Sequence, residues 1–180
     1  MRIFVKRKKD MHKGLDFIID KITNSIENSL TGEVFDTEIV RLTLKDSVHI
    51  KKYLWEFDWL KELKDESKAV YKLTTVHNPK IIQGLISIED KQDHVFMHLI
   101  ESVKFNKGKD KIYLGVPGNL VAFACKVSFE KGYEGFVAFD AKSALIKHYE
   151  QTLGATHFRG LRMYIETRAA LKLISQYFKK

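Results

Sequence analysis

The sequence predicts an α/β fold built on a mixed, mostly antiparallel sheet with helices on both faces, and three observations carry that prediction. Three extended apolar segments, 69–76, 81–88 and 95–105, follow one another closely, as in an antiparallel meander. A glycine-bearing turn at 115–119 then feeds a segment whose apolar residues recur at helical spacing. From there onward short apolar strands alternate with helices, and strands joined through a helix are expected to lie parallel by a right-handed crossover.

Element by element, Leu15, Ile18, Ile19, Ile22 and Ile26 recur at helical spacing and predict an amphipathic helix over about 14–28. Ser29 to Gly32 supplies a turn, and the interleaving of Ile39, Val40, Leu42 and Leu44 with Glu38, Arg41, Thr43 and Lys45 predicts a strand. Residues 46–68 read as helical and are rich in aromatics: Tyr53, Trp55, Phe57 and Trp59. In the meander, Asn78 and Pro79 separate the first two strands, and the polar run 89–94 separates the second from the third. Asn106, Lys107 and Gly108 turn the chain. After Gly115 to Asn119, Leu120, Phe123, Ala124 and Val127 define a helix that ends at Lys131 and Gly132. Gly135 to Phe139 is a short strand, Ala141 to Thr152 a helix stopped near Gly154, Arg162 to Glu166 a last strand and Ala169 to Phe178 a closing helix.

Composition narrows the function classes. With 180 residues, 44% hydrophobic and 12% aromatic content, two prolines and ten glycines, the chain reads as one globular domain, 1–180, rather than a fibrous or disordered protein. No run approaches the roughly 20 apolar residues that cross a bilayer, and the basic start has no apolar segment behind it to make a signal peptide, so a soluble, cytoplasmic protein without a membrane partner is expected. A single cysteine, Cys125, forms no internal disulfide, which fits a reducing compartment. The net charge of +8 invites a nucleic-acid reading, but +5 of it lies in residues 1–13, with no groove-reading pattern and no interleaved aromatics. A solvated basic segment is the simpler expectation.

The chemistry-bearing residues concentrate between 95 and 155. A strand, a glycine turn and a helix start aim backbone N–H groups at one point, a natural anion site, and Gly115 and Gly118 let a phosphate approach the backbone; a tight turn explains the same glycines. Glu101 interrupts a largely apolar strand and, at a period of two, shares a face with Val95, Met97, Leu99 and Val103. A carboxylate there is either catalytic or held in an ion pair. His98 on the other face is a proton relay at most, and His94 with His98 lacks a third metal ligand, so no metal is expected. Cys125, inside a helix with no histidine nearby in sequence, reads as an inert buried thiol.

At the stretch KIYLGVPGNLVAFACKVSFEKGYEGFVAFDAKSALIKHYEQTLGA the chain resembles the GCN5-related N-acetyltransferase (GNAT) superfamily, over roughly residues 34–166. The ordered parts are the long strand Val95 to Phe105, the loop Lys111 to Asn119, the strand Gly135 to Phe139 and the segment Ala141 to Ala155. The resemblance implies a GNAT-like acyl-CoA N-acyltransferase fold, acetyl-CoA as co-substrate and direct transfer to an amine. It places the pantetheine and oxyanion contacts on the splayed strand at Ile100, Ser102 and Val103. The pyrophosphate falls on Gly115, Val116, Gly118, Asn119 and Leu120, and Lys142 lies where a polar residue faces the cofactor; a solvated lysine explains it equally. Tyr149 becomes the general acid and Glu101 the base; equally, Tyr149 is a buried aromatic that anchors its helix. Asp58, Trp55 and Trp59 fall where the superfamily lines its acceptor pocket, an acid among aromatics suiting a cationic amine; equally, the aromatics are core and Asp58 caps a helix. Where the family loop carries Arg or Gln at its start and Gly or Ala at its end, this chain has Ile112 and Pro117. Pro117 has no N–H to donate, so charge falls to Lys107, Lys109 or Lys111. That departure supports the alternative of a non-catalytic acyl-CoA-binding or regulatory protein of the same fold. Acceptor identity and oligomeric state have no signature in the chain.

Overall fold

The computed structural model describes residues 14–21 and 25–178, so the basic segment 1–13 lies outside the described residues. Its frame is a seven-stranded sheet. β3 (Thr37–Leu42), β4 (Lys68–Thr75), β5 (Gly84–Asp90) and β6 (Val95–Ser102) form the expected antiparallel meander. Next to β6 comes β8 (Val137–Asp140), then β10 (Arg162–Ile165) and β9 (Thr156–Arg159) at the far edge. Among the described strands of this sheet β6 and β8 are the parallel pair, and the helix α2 (Val116–Glu130) connects them, as the crossover rule requires. A second sheet joins β1 (Ile26–Asn28) between β2 (Val34–Phe35) and β7 (Tyr113–Leu114). Among the described residues no helix is long and apolar enough to cross a membrane.

Helices cover both faces. A side chain at Gly84 of β5 would meet Val116 and Leu120, so α2 packs on the face that Gly84 shares with its partner Ser102. The next pair, Leu85 and Glu101, points to the other face, where Trp59 of α1 (Trp59–Lys64) meets Glu101. α3 (Ile146–Leu153) follows β8, and α4 (Thr167–Tyr177) packs along α2. The core joins Leu73, Leu85, Leu120, Val121, Phe139, Met163 and Tyr177, all fully buried.

Three expectations are corrected. Residues 14–21 are not helical: Leu15, Phe17 and Ile19 are buried while Asp16, Ile18 and Asp20 are not, the period-two pattern of an extended chain. Helical spacing and alternation overlap over so short a run, and tertiary pairing of Leu15 with Ala141 decides between them. Between 44 and 68 the helical character reduces to two 3₁₀ turns, Leu44–His49 and Lys52–Leu54, and the single short helix α1. Finally, β6 does not keep one period. Ser87 pairs with Leu99 but Ile88 with Met97, so His98 is an extra residue, a bulge, and Glu101 does not share a face with Val95 and Met97.

Candidate active site

The bulge sets the geometry of a gap in the sheet. β6 pairs with β8 only from Val95 to Met97 and then runs five more residues without it. Val95 N–H bonds Phe136 on the β8 side, whereas Val103 N–H bonds Gln83 on the β5 side. Along a strand, amides alternate between edges, and the bulge reverses the phase; the Ile100 and Ser102 amides therefore face the gap, and Val103 does not.

At one end of the gap α2 begins. Gly115 is its N-cap with φ +89°, a left-handed conformation that glycine adopts without a Cβ clash. Val116, Gly118, Asn119 and Leu120 are buried, and both side-chain polar atoms of Asn119 lack partners. Tyr149 lies on α3, fully buried against Phe139 at 5.6 Å between ring centres. Burial pushes its phenol well above the ordinary tyrosine value, so it holds its proton. Cys125 is buried too, its thiol pushed up to about 12 by the loss of solvent.

Residues 14–21 run through the same gap and touch its functional groups in turn. The Tyr149 hydroxyl donates to Phe17 O at 2.6 Å, with the two rings stacked at 4.7 Å. Lys142 Nζ pairs with Asp16 at 2.7 Å. Gly115 N–H donates to Asp20 Oδ1 at 3.0 Å, while Asp20 Oδ2 pairs with Lys111 at 3.0 Å. Tyr177 of α4 donates to Lys21 O at 2.9 Å and fills the space a side chain at Gly118 would need. In this arrangement Gly115 N–H, Lys142 and Tyr149, three of the groups expected to meet a CoA thioester, are held by the chain itself, so a CoA molecule would have to displace residues 14–21 to reach them.

Ile19 N–H donates to His148 Nε2 at 3.0 Å, which requires a neutral imidazole with its proton on Nδ1. Burial lowers the His148 pKa below its ordinary value. A depressed value means the contribution is complete above the unfolded imidazole value, about 6.5, and is lost as pH falls through the folded one. Protection of the Ile19 amide, measured by hydrogen exchange corrected for its intrinsic pH dependence, is expected to fall on acidification from about pH 7 to about pH 5. A constant protection factor across that range contradicts it.

On the opposite face from α2, Glu101 is 3% exposed and fully engaged. Oε1 accepts from Glu56 N–H at 2.6 Å and Lys107 Nζ at 2.8 Å; Oε2 accepts from Trp59 Nε1 at 2.7 Å and Phe57 N–H at 3.3 Å. Four donors fill a carboxylate's usual acceptor sites, so Glu101 fastens the aromatic segment 55–59 to β6. Beside it a pocket of about 190 Å³ is lined by Val48, Trp55, Phe57, Asp58 and Trp59. Trp55 and Trp59 pack edge to face at 6.3 Å, and both are buried. Asp58 is exposed and caps α1 by accepting from Lys61 N–H at 3.2 Å. His98 bonds Glu89 at 2.6 Å.

The structure thus gathers Gly115, Lys142 and Tyr149 along one groove and Asp58, Trp55 and Trp59 around a second pocket, whose aromatic segment Glu101 holds from β6. Sequence reasoning missed Phe17, Asp20, His148 and Tyr177, while Lys111, expected as one of three lysines that could supply charge at the loop, pairs with Asp20; the alternation Leu15, Phe17, Ile19 was the available signal for the first two.

A mostly antiparallel seven-stranded sheet with one parallel strand pair that parts beside a glycine-capped helix is the fold of this chain, and it matches that of solved acetyltransferase structures. No family model and no curated protein matches the chain. Among solved structures it is similar to AtaTR bound with acetyl-CoA, with a TM-score of 0.55 at 14% identity over 77% of this chain and 98% of that one. A mutant of the spermidine N-acetyltransferase SpeG from Vibrio cholerae aligns with a TM-score of 0.50 at 14% identity, covering 76% of this chain and 96% of its own.

Proposed function

We propose that this protein is an N-acetyltransferase, taking an acetyl group from acetyl-CoA and passing it to an amine by direct attack. The observation that carries the reading is the gap between β6 and β8, edged by the Ile100 and Ser102 amides and ending at the glycine-capped start of α2. That arrangement offers an extended thioester a strand edge and its phosphates a set of N–H donors. The pocket around Trp55, Trp59 and Asp58 supports a cationic amine as acceptor, since aromatic faces and a carboxylate both attract positive charge. Tyr149 becomes available as a proton donor only when its hydroxyl lets go of Phe17 O, so turnover requires residues 14–21 to move. Glu101, with its acceptor sites filled, holds the wall-forming segment 55–59 in place instead of taking a proton.

Occupation of the groove by residues 14–21 favours a second reading, an acyl-CoA-binding or regulatory protein without turnover. Millimolar acetyl-CoA is expected to raise the Tm, because a ligand that binds only the native state stabilises it. Polyamines and other primary amines, added with acetyl-CoA, are expected to release free CoA thiol. A Tm shift without thiol release selects the non-catalytic reading, and absence of both rejects the two together.

A further inference from the structure

We propose that residues 14–21 are an internal competitor for the acyl-CoA groove: a strap that occupies the gap between β6 and β8 and sets the Asp20 carboxylate where a CoA phosphate would sit. The inference rests on the acetyl-CoA reading above and adds to it that the chain closes its own site.

The placement follows from backbone directions. Ala141 N–H bonds Leu161 on the β10 side of the β8 strand's end. Its neighbours must point the other way, toward β6, and those are the groups the strap uses: Leu15 N–H bonds Asp140 O at 2.7 Å, and Lys142 N–H bonds Leu15 O at 3.0 Å. The strap therefore enters the gap from its β8 edge. From there the apolar side chains Leu15, Phe17 and Ile19 turn inward, 7%, 8% and 7% exposed. The two acids at even positions meet the groove's two lysines, Asp16 on Lys142 and Asp20 on Lys111. Asp20 is matched as a phosphate oxygen would be, by a backbone N–H at the start of a helix and by an ammonium group.

The attachment suits a removable occupant. Among the described residues only two backbone–backbone hydrogen bonds join residues 14–21 to the rest of the protein, and the remaining polar contacts are made by side chains. With so few ladder bonds, the burial of Leu15, Phe17 and Ile19 is what chiefly holds the strap, and removing one of them is expected to open it short of global unfolding. A site that is open only part of the time shows an apparent affinity reduced by the open fraction.

The test is isothermal titration of acetyl-CoA into the full chain and into Asp20→Ala and Phe17→Ala, each first shown to melt cooperatively. Hydrogen exchange at the Leu15 and Ile19 amides is followed in parallel. The expected result is at least tenfold tighter binding by both variants, with loss of protection at both amides when the parent is saturated. Equal affinity in all three proteins, with the amides still protected in the complex, overturns the strap and leaves the transferase reading standing. No binding by any of the three overturns the competition and, with it, the acetyl-CoA reading. If one substitution prevents folding, the other carries the comparison.

Discussion

Glu101→Ala is expected to lower the free energy of unfolding by about 3–5 kcal/mol, read from urea denaturation of the full chain. The substitution leaves Trp59 Nε1–H buried without its acceptor, at about 1–3 kcal/mol, removes the carboxylate that the Glu56 and Phe57 amides and Lys107 share, and leaves Lys107 its longer contact with Glu56 at 3.7 Å. Lys107, partly exposed, can turn to water; the tryptophan nitrogen, on a side chain 2% exposed, cannot. Glu101→Gln is expected to cost less than alanine but still more than about 1 kcal/mol, because its amide NH₂ meets N–H donors where an oxygen was. Near-parental stability of both variants would mean that Glu101 does not fasten segment 55–59 and would return it to candidacy as a base.

Gly118→Ala is expected to destabilise the protein by about 1–3 kcal/mol through overpacking, since the added methyl overlaps the Tyr177 phenol. Tyr177 is fully buried and its hydroxyl is bonded to Lys21 O, so it cannot turn aside without breaking that bond. The discriminating measurement is a double-mutant cycle with Tyr177→Ala, which removes the obstacle. The cost of Gly118→Ala should shrink in that background by about 0.5–3 kcal/mol, the usual range for directly coupled residues. Additive losses would show that the glycine answers to something other than Tyr177, such as the close approach of a phosphate to the backbone.

The sequence by itself determined most of the sheet. Strands β4, β5 and β6 were readable because each is an apolar run bounded by polar turns, and that contrast is local. The helix after Gly115 was readable for the same reason: a glycine, then apolar residues three and four apart. So were the grouping of Asp58 with Trp55 and Trp59, and the parallel pairing of β6 with β8, which follows from the helix between them. What only the tertiary structure decided were relations between distant residues. Whether Glu101 is exposed or engaged depends on Trp59 and Lys107, and whether Gly118 serves a phosphate or a phenol depends on Tyr177, 59 positions away in the chain. Residues 14–21 are the clearest instance. Their apolar spacing satisfies a helix and a strand equally over eight residues, and a helix that short has little stability alone. The open edge of β8, with Asp140 O and Lys142 N–H in need of partners, selects the extended form, and no local pattern around residue 15 encodes that edge.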